Sequence, residues 1–127
     1  MATLADLDAA LEDFRKTDFD LRVVIDEIEN LGRQLAHLSR RRQDGGMEAS
    51  LRQINEELHT EMDQIGAVVG AIFEDERTAR SDPRELLIQQ ALDSARLAKM
   101  QLIASRATLE GLREQLKELR VASIPHA

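Results

Sequence analysis

The sequence predicts an all-α fold, an antiparallel bundle or coiled coil of long helices, and three observations predict it. Apolar residues recur at alternating spacings of three and four along most of the chain, a pattern typical of helices that lie along one another. Two turn signals divide the chain. Charged residues make up 32% and hydrophobic residues 43% of the 127 residues, too apolar for a disordered chain and too charged for a membrane protein. The most regular run comprises Ile88, Ala91, Ala95, Ala98, Leu102, Ser105, Leu109, Leu112, Leu116 and Leu119.

The first turn signal is Asp44-Gly45-Gly46. Glycine adopts positive φ at little cost, so we expect a helix to end there and the chain to turn. Arg40, Arg41 and Arg42 precede it, where cations suit the negative end of a helix dipole. These arginines also suit a phosphate or an acidic partner.

The second turn signal is Ser81-Asp82-Pro83. Asp82 can cap a helix, Pro83 fits the first helical position, and Glu85 can complete a capping box. Near the end, Ile124-Pro125 stops the last helix. One helical-bundle domain is therefore predicted over 1–127, with helices at about 4–43, 47–80 and 83–121 and a disordered tail at 122–127.

The first helix contains a phase change. Its apolar spacing slips near Thr17-Asp18, where Asp18 would fall on the apolar face. A kink there, or a break with Thr17 as the cap, would give four helices in place of three.

Short turns make consecutive helices antiparallel neighbours. Folding the chain at Arg80-Ser81 sets Gly70 opposite Ala91 and Gly66 opposite Ala95. Because glycine costs about 1 kcal/mol relative to alanine inside a helix, we expect a close backbone crossing at these residues. The alternative is that the two glycines mark local flexibility.

A long, slender bundle has much surface for its volume, so we expect association into a homodimer or a hetero-assembly with a protein partner. We predict contact surfaces at the start of the first helix and at the end of the third. They comprise Leu4, Leu7, Leu11 and Phe14, and Leu109, Leu112, Leu116 and Leu119.

Composition excludes several classes of function. The net charge of −7 disfavours binding to duplex nucleic acid, and three Phe as the only aromatic residues disfavour base stacking. With no cysteine, disulfides and thiolate sites are excluded. The longest apolar stretch, Ile65 to Phe73, is about half of a bilayer span. Acidic residues interrupt the N-terminal segment, so we expect no signal peptide, no membrane insertion and a cytoplasmic location.

Chemical motifs are sparse. Glu56 and His59 form one Glu-x-x-His pair, whereas a di-iron site needs two such pairs and two further glutamates. No nucleotide-binding loop or His-Glu-x-x-His pair is present. We therefore predict a chain that is not an enzyme, with no metal, no cofactor and no small-molecule substrate.

The run Glu57-Leu58-His59-Thr60-Glu61-Met62-Asp63-Gln64-Ile65 resembles the phosphoacceptor helix of NarL-type sensor histidine kinases. The resemblance covers about residues 50–120 and implies a phosphoacceptor at His59 and a water-positioning glutamine at Gln64. Thr60 stands where that family has an acidic residue that activates the histidine, and no glycine-rich ATP-binding segment follows.

Two hypotheses result. The first is a non-enzymatic helical protein–protein interaction module, such as an adaptor, an assembly factor or a chaperone-like subunit of a larger complex. The alternative is a degenerate histidine-phosphotransfer and dimerisation module with His59 as the phosphoacceptor.

Overall fold

A computed structural model describes residues 1–123 and contains three helices, α1 (Leu4–Arg42), α2 (Gly45–Ser81) and α3 (Glu85–Ala122). They pack together, and no strand occurs in these residues, which confirms the all-α bundle. Ala122 is still helical and Ser123 caps α3, so the predicted tail cannot include Ala122. The predicted stop at Ile124-Pro125 and residues 124–127 of the predicted tail lie outside the described residues.

α1 is one continuous helix. A capping box opens it, in which Thr3 Oγ1 accepts from the Asp6 amide at 3.2 Å and Asp6 Oδ2 accepts from the Thr3 amide at 3.0 Å. The helix runs without a break through Thr17, so the four-helix alternative is wrong. The reason is that Phe14 and Leu21, one heptad apart, are both buried, so the core continues across the change of phase.

The α1–α2 turn is a Schellman motif centred on Gln43, whose φ is 52°. The Asp44 amide donates to the Ser39 carbonyl at 3.1 Å, and the Gln43 amide donates to the Arg40 carbonyl. Asp44 then caps α2 by accepting from the Met47 amide at 3.1 Å. The prediction that a glycine takes the left-handed conformation here is wrong, because Gly45 and Gly46 already belong to α2.

The α2–α3 link differs from the predicted capping box at Asp82 and Glu85. Asp82 instead ends α2, and its amide donates to the Thr78 carbonyl at 3.0 Å. α3 begins only at Glu85, after Arg84, which makes no side-chain capping hydrogen bond. Arg84 Nε donates to Asp82 Oδ2 at 2.8 Å, so the Asp82 carboxylate bonds to Arg84 and does not cap α3.

α3 is the central helix, because both other helices pack mainly on it and contact each other least. α1 and α3 run parallel, and α2 runs antiparallel to both. The apolar core follows this arrangement along the full length of the bundle. Its most deeply buried large side chains are Leu7, Leu11, Leu21, Ile28, Leu102, Leu109, Leu112 and Leu116.

Ion pairs at heptad spacing join α1 to α3. We call these pairs the charge ladder. Each pairs an acidic residue of α1 with a basic residue of α3, and the intervals along each helix are seven residues. The pairs are Asp13–Lys99 at 2.6 Å, Asp20–Arg106 at 3.9 Å and Glu27–Arg113 at 2.9 Å. At the far end of the bundle, Arg42 Nη1 donates to the Ser123 carbonyl. The ladder fixes the register in which α1 lies on α3.

The predicted close crossing at Gly66 and Gly70 is wrong. Both glycines are exposed, and a Cβ added at either would meet nothing within 4 Å. The cause is the face of α2 that meets the core. Ile65 and Ile72 are 3% and 2% exposed, and with 3.6 residues per turn Gly66 and Gly70 lie about 100° and 140° around the helix from Ile65. The two glycines therefore point away from α3.

Ala91 and Ala95, the other half of that predicted crossing, are buried at 2% and 1% exposure within the core of the chain. Their small side chains allow the helices to pack closely around α3, but not against the two glycines.

The predicted partner surfaces are also wrong for most of their residues. Six of them are at most 2% exposed within a single chain, so they pack in its own core and have no surface left for a partner. These are Leu7, Leu11, Phe14, Leu109, Leu112 and Leu116. The other two, Leu4 and Leu119, are half-buried against the same core. The reason is that α1 lies parallel to α3 along its whole length, so its N-terminal half has an intrachain partner.

Candidate functional site

A groove of about 540 Å³ lies between the C-terminal half of α1 and the N-terminal half of α2. We call it the α1/α2 groove. It exists because these two helices contact each other little, and Gly32 and Ala36 leave the α1 wall low. α3 contributes Leu116 at the base. The apolar lining comprises Ile28, Ala36, Leu51, Ile54, Leu58 and Leu116. Leu51 and Ala36 are half-buried, and the other four belong to the core and are at most 6% exposed.

Charged side chains line the rim of the α1/α2 groove. Arg33 pairs with Glu29 and Arg52 with Glu48, each at 3.9 Å. Arg40 also lines the groove, and no carboxylate of residues 1–123 lies within 4.0 Å of it. The rim therefore carries three arginines against two glutamates, an excess of positive charge in a chain whose net charge is −7.

Another arginine follows at the C-terminal end of α1. Arg41 is exposed but does not line the groove, because it leaves the helix about 100° around from Arg40. The Schellman motif hydrogen-bonds the carbonyls of Ser39 and Arg40, so the arginine side chains are not needed to cap them. The guanidinium groups of Arg40 and Arg41 can therefore bind an anionic partner.

The structure does not bring the two predicted phosphotransfer residues together. His59 is exposed and lines the α1/α2 groove. Gln64 is also exposed but lines a second groove, of about 480 Å³, between α2 and α3. Five residues along a helix turn the chain well beyond one full turn, so the two side chains leave α2 on different sides. Thr60 Oγ1 donates to the Glu56 carbonyl at 3.0 Å, which directs its hydroxyl to the backbone.

Sequence reasoning missed both the α1/α2 groove and the charge ladder. The ladder has a readable signal, because acidic residues at 13, 20 and 27 match the seven-residue spacing of basic residues at 99, 106 and 113. The groove has a weaker signal, which is the small residues Gly32 and Ala36 in the part of α1 that faces α2.

Within residues 1–123, no group of three or more histidine, aspartate or glutamate side chains is placed to hold a metal ion. None of the helices in that range has an apolar stretch long enough for a bilayer crossing. Comparisons of the chain with protein-family models, with curated proteins and with solved structures find no match. The grooves and the outer surface are therefore the basis on which a function can be proposed.

Proposed function

We propose that this chain is a non-enzymatic helical interaction module, an adaptor, assembly factor or chaperone-like subunit of a larger complex. Its α1/α2 groove binds an amphipathic helix of a partner protein, and that helix is acidic along its flanks. The observation that carries this proposal is the combination of an apolar floor with an excess of arginines on the rim of an otherwise acidic chain.

The dimensions of the groove support a helical ligand. Its α1 wall extends from Ile28 to Arg40, which at 1.5 Å per residue is about 18 Å, or three turns of a bound helix. A ligand helix would place its apolar stripe over Leu51 and Ala36, which are half-buried in the lining. Acidic residues beside that stripe would meet Arg40, so electrostatic steering would favour acidic partners.

The test is a comparison of two alanine-to-glutamate variants in affinity capture from the native cell. Ala36 is half-buried in the groove wall, whereas Ala49 is exposed on α2 outside the groove. We expect Ala36→Glu to abolish capture of the partner and Ala49→Glu to retain it. Dichroism melts should show both variants folded. Equal capture by the two variants, or no partner for the unaltered chain, would contradict a binding role for this groove.

A second candidate function is phosphotransfer on His59, in keeping with the resemblance to NarL-type kinases. One observation favours it, namely that His59 is exposed in a groove that Arg33 and Arg52 also line, where cations would attract a phosphoryl group. The position of Gln64 in the other groove argues against a hydrolytic role for that residue.

Incubation with a phosphorylated response-regulator receiver domain tests this candidate. Acid-labile phosphate that appears on the chain, and that disappears in His59→Gln, would support it. His37→Gln is the matched control, since His37 is also exposed on a helix but does not line the groove. No transferred phosphate would dismiss the candidate.

A further inference from the structure

α3 carries a second apolar seam on its outer face. We call this the outer seam. Its members recur at spacings of three and four and are all exposed. They are Leu97, Met100, Ala104, Ala107 and Gly111. Leu97 is 57% exposed and Met100 is 67% exposed, and Ile103 beside the seam is 53% exposed. The solvent-exposed face of a helix is ordinarily polar, so an apolar heptad pattern on this face of α3 favours a contact with another helix.

We propose that the outer seam pairs with the outer seam of a second copy of this chain, antiparallel, about a twofold axis beside Ile103. This inference rests on the proposed role as an interaction module, but it uses a different face from the α1/α2 groove. Leu116 reaches that groove from the buried side of α3, whereas Leu97 and Met100 face solvent.

Side-chain size is complementary in this antiparallel register. In an antiparallel coiled coil, the a positions of one helix pack against the d positions of the other. With Leu97 and Ala104 at a and Met100 and Ala107 at d, Leu97 lies opposite Ala107 of the second copy. Met100 then lies opposite Ala104 of the second copy. Each large side chain then meets a small one, in both halves of the interface. Ala104 also lies at the edge of the α2/α3 groove, which leaves space for a methionine side chain.

Charge is complementary in the same register. Flanking residues on one side of the seam pair across the axis, so Arg96 faces Glu110 of the second copy, and the pair occurs twice. Ile103 meets Ile103 of the second copy at the axis. A parallel dimer would instead set Met100 against Met100 and Ala104 against Ala104, which leaves gaps at each alanine.

Sedimentation over a range of concentrations provides the first test. We expect the unaltered chain to form a concentration-dependent dimer. Ala104→Glu should raise the dissociation constant at least about 30-fold, because it sets an unpaired carboxylate against a methionine of the second copy. Ala49→Glu is the matched control and should dimerise normally. The groove variant Ala36→Glu should also dimerise, so failure of the groove proposal and failure of the dimer proposal are distinguishable.

Charge exchange provides the second test. Arg96→Glu alone should weaken the dimer, and Arg96→Glu combined with Glu110→Arg should restore it. Glu110 also pairs with Arg106 within the chain, but Arg106 keeps Asp20 as a partner in the double variant.

Cross-linking with a short bismaleimide tests the orientation, since the chain has no native cysteine. Ile103→Cys should cross-link two copies efficiently. Val121→Cys, which is 63% exposed on the same helix, should not, because an antiparallel pair holds those residues far apart. A chain that stays monomeric at every concentration, a dimer that Ala104→Glu leaves unchanged, or cross-linking at Val121 but not at Ile103 would overturn the proposal. The proposal would also be overturned if only a different protein, and no second copy of this chain, covered the outer seam.

Discussion

Lys99 and Asp13 are 86 positions apart in the sequence, and Lys99 Nζ donates a hydrogen bond of 2.6 Å to Asp13 Oδ2. The same separation relates Arg113 to Glu27. A constant separation at heptad intervals means that α1 lies parallel to α3 in one register. Exposed ion pairs add little stability individually, so the main effect of the ladder is to specify this alignment against shifted ones.

Reversing one charge of the ladder should test its role in alignment. We expect Asp13→Lys to lower the free energy of unfolding by about 0.5–1 kcal/mol, because it sets two cations against each other. The exchange Asp13→Lys with Lys99→Asp should recover most of that loss in urea denaturation at low salt. Glu12→Lys is the matched control, since no cation of residues 1–123 lies within 4.0 Å of Glu12. If the exchange recovers nothing, the pair does not form in solution.

Alanine at Gly66 or Gly70 should stabilise the chain by about 0.5–1 kcal/mol each, because both glycines are helical and open to solvent. In contrast, Ala95→Leu should cost about 1–3 kcal/mol, since Ala95 is 1% exposed between helices. Thermal melts of the three variants measure these effects. A loss of stability in either glycine variant would show that something packs against α2 at that position.

The left-handed Gln43 offers another site for stabilisation. Gln43→Gly should stabilise the chain by about 1 kcal/mol, because a side chain at φ 52° is strained and glycine is not. Gln43→Ala is the control that keeps the strain, and it should not stabilise. Asp44→Ala should lower the free energy of unfolding by about 0.5–2 kcal/mol, because it removes the side chain that caps α2. Urea denaturation that ranks glycine below alanine at position 43 would contradict the Schellman geometry.

Truncation should separate core leucines from those of the outer seam. Leu109 is 0% exposed, so Leu109→Ala should cost about 2–5 kcal/mol even in a dilute monomer. Leu97→Ala should cost less than about 0.5 kcal/mol under the same dilute conditions, because Leu97 is exposed in the single chain. Equal losses at the two positions would mean that the outer seam is part of the monomer core.

The sequence allows the helices to be predicted well because heptad spacing and turn residues are local signals. The observed end of α1 at Arg42 and the observed start of α2 at Gly45 lie within two residues of the predicted bounds. Local signals failed at the caps. Gln43 adopts the left-handed conformation because the two glycines already belong to the first turn of α2. Asp82 bonds to Arg84 and does not cap α3, which begins two residues later than predicted.

The packing of the helices was harder to predict than their extent. The turn residues do not determine which face of α2 meets α3, and the buried face contains Ile65, so Gly66 is exposed and does not pair with Ala95. The location of the groove depends on unequal spacing of three helices, which no single helix encodes. Heptad repeats show which faces are apolar, as for Leu109, but not whether the partner is intrachain.

The dominance of the α1–α3 contact affects how the chain can be made. During synthesis at about 5–20 residues per second, the ribosome needs about 4–17 s to add the 86 residues that separate Asp13 from Lys99. Throughout that interval the nascent α1 has only its weaker neighbour α2 to cover its leucines. We expect chaperone occupancy on translating ribosomes to rise after α1 emerges and to fall once α3 has cleared the exit tunnel.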